Sequence, residues 1–173
     1  SIKLFGTIYF YTILIFLIMG IFYNIRPIRT KDLKYLDIIT ESINNPIRFF
    51  LGYYTLADYF DFSSMQNIQI ILFYFSFGCF LMSCKRLSEK RYFGNSKNIA
   101  KYRITIFRYT ENQLILQTFF YSIISLLFIS NLLIVKNFYF FIFIFTLVLT
   151  YIEYINLALN KSYSSQEPET LYK

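Results

Sequence analysis

The sequence predicts an all-α, polytopic transmembrane helical bundle of about five helices. Of its 173 residues, 56% are hydrophobic and 23% aromatic, only 16% are charged, and the mean hydropathy is +0.45. These values are too apolar for an ordinary soluble domain. Five stretches are also long enough to cross the hydrocarbon core of a bilayer, which takes about 20 mostly apolar residues in a helix. The basic residues fall on alternate connections between these stretches, as in the cytoplasmic loops of membrane proteins.

The five helices are predicted to form a single membrane domain over residues 1–173. We place them near 4–25, 36–57, 66–84, 113–135 and 138–159. The last two are almost wholly apolar and give the clearest signal. The second, LDIITESINNPIRFFLGYYTLA, is unusual for a span because it carries charged residues and a proline: Asp37, Glu41, Pro46 and Arg48.

The distribution of Lys and Arg predicts the orientation in the membrane. Of the seventeen, four lie in 26–34, eight in 85–108 and two in the C-terminal tail, whereas the opposite connections hold only Lys136. The positive-inside rule therefore places loops 26–35 and 85–112, together with the tail, in the cytoplasm. Because the net charge of +7 is explained by these short loops, we do not expect a nucleic-acid partner.

The residue types present exclude several kinds of site. The chain has no His, so neither a His-dependent catalytic triad nor an ordinary zinc site is available. Cys79 and Cys84 share one apolar run and are expected to be inert buried thiols. No basic segment or small-residue cleavage site accompanies the first apolar run, so we expect an internal segment rather than a signal peptide.

The first polar feature is the segment YNIRPIRTKDLKYLD, which follows the first predicted helix. Pro27 favours an extended start to this loop. Tyr23, Arg29 and Lys31 are candidates for binding a phosphate group. The alternative is an ordinary positively charged cytoplasmic loop with no ligand.

The second polar feature is one face of the second predicted helix. Its polar residues recur at spacings of three and four: Asp37, Glu41, Asn44, Asn45 and Arg48. Ionisable residues at membrane depth usually face a bundle interior or a watery cavity, so a polar cavity is predicted. The alternative is an internal ion pair between Glu41 and Arg48 that binds nothing.

The third polar feature is KRLSEKRYFG, residues 85–94, directly after an apolar run. If the preceding helix continues into it, Lys85 and Glu89 are four residues apart on one face, as are Arg86 and Lys90. The cations suit a phosphate ligand, and Glu89 suits a divalent cation. An amphipathic linker lying on anionic lipid is the alternative.

The order of these features resembles the UbiA superfamily of integral membrane prenyltransferases. YNIRPIRTK resembles the family's Tyr-Ser-x-x-Pro-x-Arg-x-Lys loop, and a helix carrying Asp37 and NNPIRFFLG follows it. Many members then have Asp-x-x-x-Asp, which binds magnesium and a prenyl diphosphate. KRLSE is instead similar to the Lys-Arg-x-x-Glu motif of the branch that includes decaprenyl-phosphate phosphoribosyltransferase, as is the later KYRITIFRYTENQL. The resemblance covers about residues 20–173.

The resemblance implies a nine-helix bundle of which this chain supplies about the fourth to the eighth helices. An earlier family motif, Asn-Asp-x-x-Asp-x-x-x-Asp, does not occur in the sequence. We therefore expect a fragment that is inactive alone. The implied substrate is a polyprenyl phosphate or diphosphate, in prenyl transfer or in phosphoribosyl transfer to a polyprenyl phosphate. Replacing an aspartate pair with Lys-Arg-x-x-Glu lowers the negative charge, which favours the phosphoribosyl reaction mildly.

The resemblance and the charges together give each candidate residue a role. The catalytic candidates are Lys85, Glu89 and Asp37, and the last two would also hold Mg²⁺. The phosphate-binding candidates are Tyr23, Arg29, Lys31, Arg48, Arg86 and Arg91. The cavity-lining candidates are Glu41, Asn44 and Asn45. A different interpretation is a small non-catalytic membrane subunit, which predicts that the polar groups pair among themselves; the oligomeric state is not predicted.

Overall fold

Six α-helices and one 3₁₀ turn make up the part of the chain that the computed structural model describes, residues 2–56, 61, 64–93, 103–130 and 138–160. No β-strand occurs in these ranges. The α-helices are α1 (Ile2–Asn24), α2 (Leu36–Tyr53), α3 (Met65–Phe93), α4 (Thr105–Arg108), α5 (Glu111–Ser130) and α6 (Phe138–Leu159), and the 3₁₀ turn is Thr30–Asp32. The predicted all-α polytopic bundle is confirmed.

Four helices, and not five, are long and apolar enough to cross a membrane within the described ranges. The spans are Gly6–Asn24, Met65–Tyr92, Glu111–Ser130 and Phe141–Leu159. The exception is α2, where Asp37, Glu41 and Arg48 interrupt the apolar sequence and make the helix amphipathic. Its 18 residues extend about 27 Å at 1.5 Å per residue, so it still runs most of the length of its neighbours.

The largest difference from the predicted boundaries is at the end of α3. This helix continues to Phe93 instead of ending at 84, so most of the predicted loop 85–112 that the structure describes is helical. Leu, Lys, Arg and Glu all have high helix propensity, so α3 continues as a helix beyond the end of its apolar stretch. At α2 the helix ends at Tyr53 instead of 57. The predicted end of the fourth span, 131–135, lies outside the described residues.

The central element is α3, which packs against α2, α5 and α6. Its apolar core contains buried side chains from three helices: Phe73, Phe80 and Cys84 from α3, Ile129 from α5, and Leu147, Tyr151 and Tyr154 from α6. Both cysteines are buried and unpaired, as expected.

A close helix crossing joins α2 to α3 at Gly78. A Cβ placed on Gly78 would lie 2.1 Å from the Asn45 side-chain nitrogen and 3.2 Å from the Ser42 Cβ atom. A side chain at residue 78 would displace the Asn45 amide and press against Ser42, so the close approach of the two helices depends on this glycine.

The two basic segments of the sequence lie at the same end of the bundle. The hydroxyl of Thr105 in α4 donates a hydrogen bond to the backbone oxygen of Lys31 (3.1 Å). The ammonium of Lys34 donates to the side-chain oxygen of Gln113 in α5 (2.7 Å). The end of α1, the start of α2, the extension of α3 and α4 therefore meet in one place, and this is where the candidate residues collect.

Candidate functional site

A fully buried arginine, Arg86, is the centre of a polar cluster at this end of the bundle. Its side chain is 0% exposed and contacts three carboxylates. Its Nε donates to Asp37 (3.1 Å), one Nη to Glu89 (2.7 Å) and the other Nη to Glu41 (2.5 Å). Charge-assisted bonds of this kind are what allow an ionised side chain to be buried. Arg86 lies in the part of α3 beyond residue 84, so these bonds join this extension of α3 to the first two turns of α2.

A second arginine, Arg103, lies directly before α4 and contacts the same acids. Its two Nη atoms lie 3.5 Å from a Glu89 oxygen and 3.9 Å from a Glu41 oxygen. It also donates to the phenolic oxygen of Tyr23 at the end of α1, and the Tyr23 hydroxyl donates to Glu41 (2.6 Å). The Arg103 side chain is only 7% exposed, and its buried Nε has no hydrogen-bond partner among the described residues.

Tyr109 completes the polar cluster on the inner side. Its hydroxyl donates to the second oxygen of Asp37 (2.6 Å) and accepts from the backbone N–H of Tyr35 (2.7 Å). Burial raises the pKa of the Tyr109 phenol above its ordinary value, and the bond to Asp37 raises it further, so the phenol keeps its proton at neutral pH. The seven members of the polar cluster are Tyr23, Asp37, Glu41, Arg86, Glu89, Arg103 and Tyr109.

Replacing Tyr109 with phenylalanine tests this part of the polar cluster. We expect Tyr109→Phe to lower the free energy of unfolding in detergent by about 1–3 kcal/mol, because Asp37 loses a donor and the Tyr35 N–H loses its acceptor. Tyr11→Phe is the matched control, since Tyr11 is 61% exposed on α1. Equal stability of the two variants would contradict a structural role for the Tyr109 hydroxyl.

The structure brings together five of the predicted site residues. Tyr23, Asp37, Glu41 and Glu89 all lie in the polar cluster. Arg86 does too, and its guanidinium nitrogens all bond to protein groups; its contact with a phosphate stays a prediction. The predicted alternative of a Glu41 ion pair with Arg48 is wrong, because the partner of Glu41 is Arg86.

Three of the other predicted cations lie around the polar cluster with partners of their own. Arg29 forms an ion pair with Asp32 (3.1 Å), and the Lys31 ammonium donates to the Asn24 side chain (3.3 Å). Arg91 donates to the backbone oxygen of Ala158 in α6 (2.7 Å), and so ties the end of α3 to the end of α6.

The remaining predicted site residues, which are Lys85, Arg48, Asn44 and Asn45, lie at different distances from the polar cluster. The half-buried Lys85 interacts electrostatically with Glu89, as the four-residue spacing predicted. Arg48 is exposed and lies over the Phe16 ring, about 16 Å along α2 from Asp37, so it is not part of the polar cluster. Asn45 packs at the Gly78 crossing, and Asn44 lines a groove of about 400 Å³ between α1 and α2.

The two predicted magnesium ligands, Asp37 and Glu89, are engaged by groups of the chain itself. Both oxygens of Asp37 accept hydrogen bonds, one from Arg86 and one from Tyr109, and Glu89 is held by two guanidinium groups. Magnesium needs carboxylate oxygens that are free to coordinate it. Within the described ranges, no group of three His, Cys, Asp or Glu side chains is placed to hold a metal ion. Magnesium binding stays a prediction from the resemblance.

Two members of the polar cluster, Arg103 and Tyr109, were not singled out from the sequence. Both lie in the segment KYRITIFRYTEN, which is rich in cations. The positive-inside rule alone accounts for such a segment, so no single residue in it stood out. The available signal was Tyr109 itself, because a tyrosine hydroxyl that becomes buried usually finds a hydrogen-bond partner.

Comparison of the chain with protein families, curated proteins and solved structures found no match in any of the three. The resemblance to the UbiA superfamily therefore depends on the sequence motifs alone.

Proposed function

We propose that the chain is part of a membrane transferase that acts on a polyprenyl phosphate or diphosphate, and that the phosphate binds at the polar cluster. The observation that supports this most is Arg103. Its guanidinium is nearly removed from water, and its Nε donates to no partner in the part of the chain that the structure describes, so one donor remains for an anion. Neighbouring apolar helices that span a membrane would keep the lipid tail beside it.

The cations around Arg103 would share the phosphate. The backbone of Lys31 is bonded to Thr105, two residues beyond Arg103, and Lys85 interacts electrostatically with Glu89, which Arg103 also contacts. Arg86 has a different role in this proposal. It holds Asp37, Glu41 and Glu89 in place and offsets part of their negative charge, which the other cations at this end of the bundle offset further.

The orientation in the membrane is part of the proposal. Both basic segments lie at the end of the bundle that carries the polar cluster, and the positive-inside rule assigns that end to the cytoplasm. A polar donor or acceptor that is soluble in the cytoplasm would therefore reach the phosphate of a membrane lipid there. Prenyl transfer and phosphoribosyl transfer are both compatible with this placement.

Equilibrium binding of geranylgeranyl phosphate to the purified chain in detergent tests the proposal. We expect Arg103→Gln to weaken binding by roughly ten- to a hundredfold, because a hydrogen bond to a charged group contributes about 1.5–3 kcal/mol. Arg48→Gln is the matched control: it removes the same charge from an exposed site outside the polar cluster. The melting temperature of each variant would show whether the fold is retained.

Equal affinities for the two variants, with both folded, would contradict the proposed site. They would favour the non-catalytic membrane subunit, which has its own supporting observation. Arg86 is saturated by three carboxylates of the same chain, as expected when buried charges serve only to join helices.

A further inference from the structure

An apolar groove of about 400 Å³ lies between α1 and α2, next to the polar cluster. It follows α1 from Phe16 to Ile25, which is about 14 Å along the helix axis. The α1 wall includes Leu17, Gly20 and Ile21, and α2 contributes Asn44. This α1–α2 groove has a volume within the range of small-molecule binding sites.

One end of the α1–α2 groove reaches the polar cluster. Asn24 lines the groove and directly follows Tyr23, whose hydroxyl donates to Glu41 (2.6 Å). On α2, Asn44 lies three residues after Glu41, or about 4.5 Å along the axis. The ammonium of Lys31 donates to the Asn24 side chain (3.3 Å), so a cation lies at this end. A lipid with an anionic head group here would have the groove directly beside its tail.

The rest of the α1–α2 groove lies within the part of α1 that is apolar enough to span a membrane. That span runs from Gly6 to Asn24, and the side chains of Leu17 and Ile21 are 58% and 50% exposed. The groove is therefore open on its outer side, so an apolar chain can enter it sideways from the bilayer. Methyl and methylene groups of the wall would pack against such a chain by dispersion contacts.

Gly20 leaves space in the middle of the α1–α2 groove. A Cβ atom placed on Gly20 comes within 4 Å of no atom outside its own stretch of helix. A larger residue here would fill the groove without pushing α1 away from α2. Substitution of Gly20 can therefore test whether the groove is occupied while the fold is retained.

We propose that the α1–α2 groove binds the isoprenoid tail of the lipid whose phosphate binds at the polar cluster. This tail site depends on the proposed function, since the bound phosphate determines where the tail begins. With the phosphate near Arg103 and Lys31, the tail has to extend from the polar cluster toward the hydrocarbon core, and the groove begins at that place. A cation at one end and an apolar wall along the remainder match a single-chain lipid with an anionic head group.

Two partial ligands test the tail and the phosphate separately. Geranylgeraniol carries the tail without the phosphate, and dimethylallyl phosphate carries the phosphate with a very short tail. Binding of each, and of geranylgeranyl phosphate, is measured with the purified full chain in one detergent. We expect Gly20→Leu to weaken binding of both geranylgeranyl lipids roughly tenfold, because leucine takes the space of the tail, and to change the affinity for dimethylallyl phosphate less than about twofold.

Three further variants complete the comparison. Gly20→Ala adds a smaller side chain and is expected to have an intermediate effect. Gly52→Leu is the matched control: a Cβ atom on Gly52 also meets no atom within 4 Å, and this residue of α2 does not line the groove. Arg103→Gln is expected to show the opposite pattern, with weaker binding of both phosphates and unchanged binding of geranylgeraniol. Melting temperatures show whether each variant is folded.

The pattern of losses distinguishes a failure of the tail site from a failure of the phosphate site. Wild-type affinity of folded Gly20→Leu for both geranylgeranyl lipids would overturn the tail site, even if Arg103→Gln weakened phosphate binding. Wild-type affinity of Arg103→Gln for both phosphates would remove the phosphate site and, with it, the proposed substrate of the groove. Displacement of geranylgeraniol by dioleoylphosphatidylglycerol as effectively as by geranylgeranyl phosphate would also overturn the proposal, because the groove would then be a site for ordinary phospholipid.

Discussion

Replacing Arg86 with leucine is expected to lower the free energy of unfolding by about 3–5 kcal/mol. The reason is that Asp37, Glu41 and Glu89 lose their shared counter-ion while they remain buried or half-buried. Breaking a buried ion pair by removing one partner costs this much because an uncompensated charge is left behind. Unfolding of the purified protein in mild detergent, followed by circular dichroism, measures the difference.

Two controls show whether charge is the cause. Arg48→Leu removes an exposed arginine from α2 and is expected to change stability by less than about 0.5 kcal/mol. Combining Arg86→Leu with Asp37→Asn, Glu41→Gln and Glu89→Gln is expected to restore part of the lost stability, because the acids are then neutral. If Arg86→Leu were as stable as Arg48→Leu, the polar cluster would not be what joins α2 to α3.

Replacing Gly78 with leucine is expected to push α2 away from α3. The free energy of unfolding should fall by about 1–3 kcal/mol or more, the range for overpacking a close contact. Residue 78 lies against Asn45 and Ser42, and the Ser42 Cβ atom cannot rotate away. Because the polar cluster depends on the same pair of helices, we also expect weaker binding of any ligand there. Thermal unfolding of the variant in detergent measures the loss.

Gly20→Leu is the matched control for this crossing. Gly20 also lies within a membrane-spanning helix, but a Cβ atom placed on it comes within 4 Å of no atom outside its own stretch of helix. We therefore expect Gly20→Leu to be neutral or slightly stabilising, since glycine is a poor helix former. A loss of stability as large as that of Gly78→Leu would indicate a general effect of adding bulk instead of a specific crossing.

The fold could be predicted from the sequence because each membrane-spanning helix must be long and apolar by itself, whatever it packs against. Runs such as FYFFIFIFTLVLTYIEYINLAL need no tertiary information to be identified as spans, and α6 matches its predicted bounds. The extension of α3 was harder to predict, because the apolar stretch ends where the charged residues of KRLSEKRYF begin. The same residues nevertheless have high helix propensity. Length and apolar character located the spans, but not the helical ends beyond them.

The polar cluster could be predicted only in part, because its pairing is set by tertiary packing. Asp37 and Arg86 are 49 residues apart, and their contact depends on how closely α2 and α3 cross. The helical period correctly grouped Asp37 with Glu41, but it also extended that face to Arg48, which lies too far along α2. Periodicity shows which residues share a face; it does not show where along the face the polar partners end.

The measurement that tests the central claim most directly compares two lipids with the same tail. Binding of geranylgeranyl phosphate and of geranylgeraniol, the neutral alcohol, is measured with the wild-type chain in the same detergent at several salt concentrations. We expect the phosphate to bind at least about tenfold more tightly than the alcohol and the difference to shrink as salt screens the cations around the polar cluster. Equal affinity for the two lipids at low salt would contradict a phosphate site at this end of the bundle.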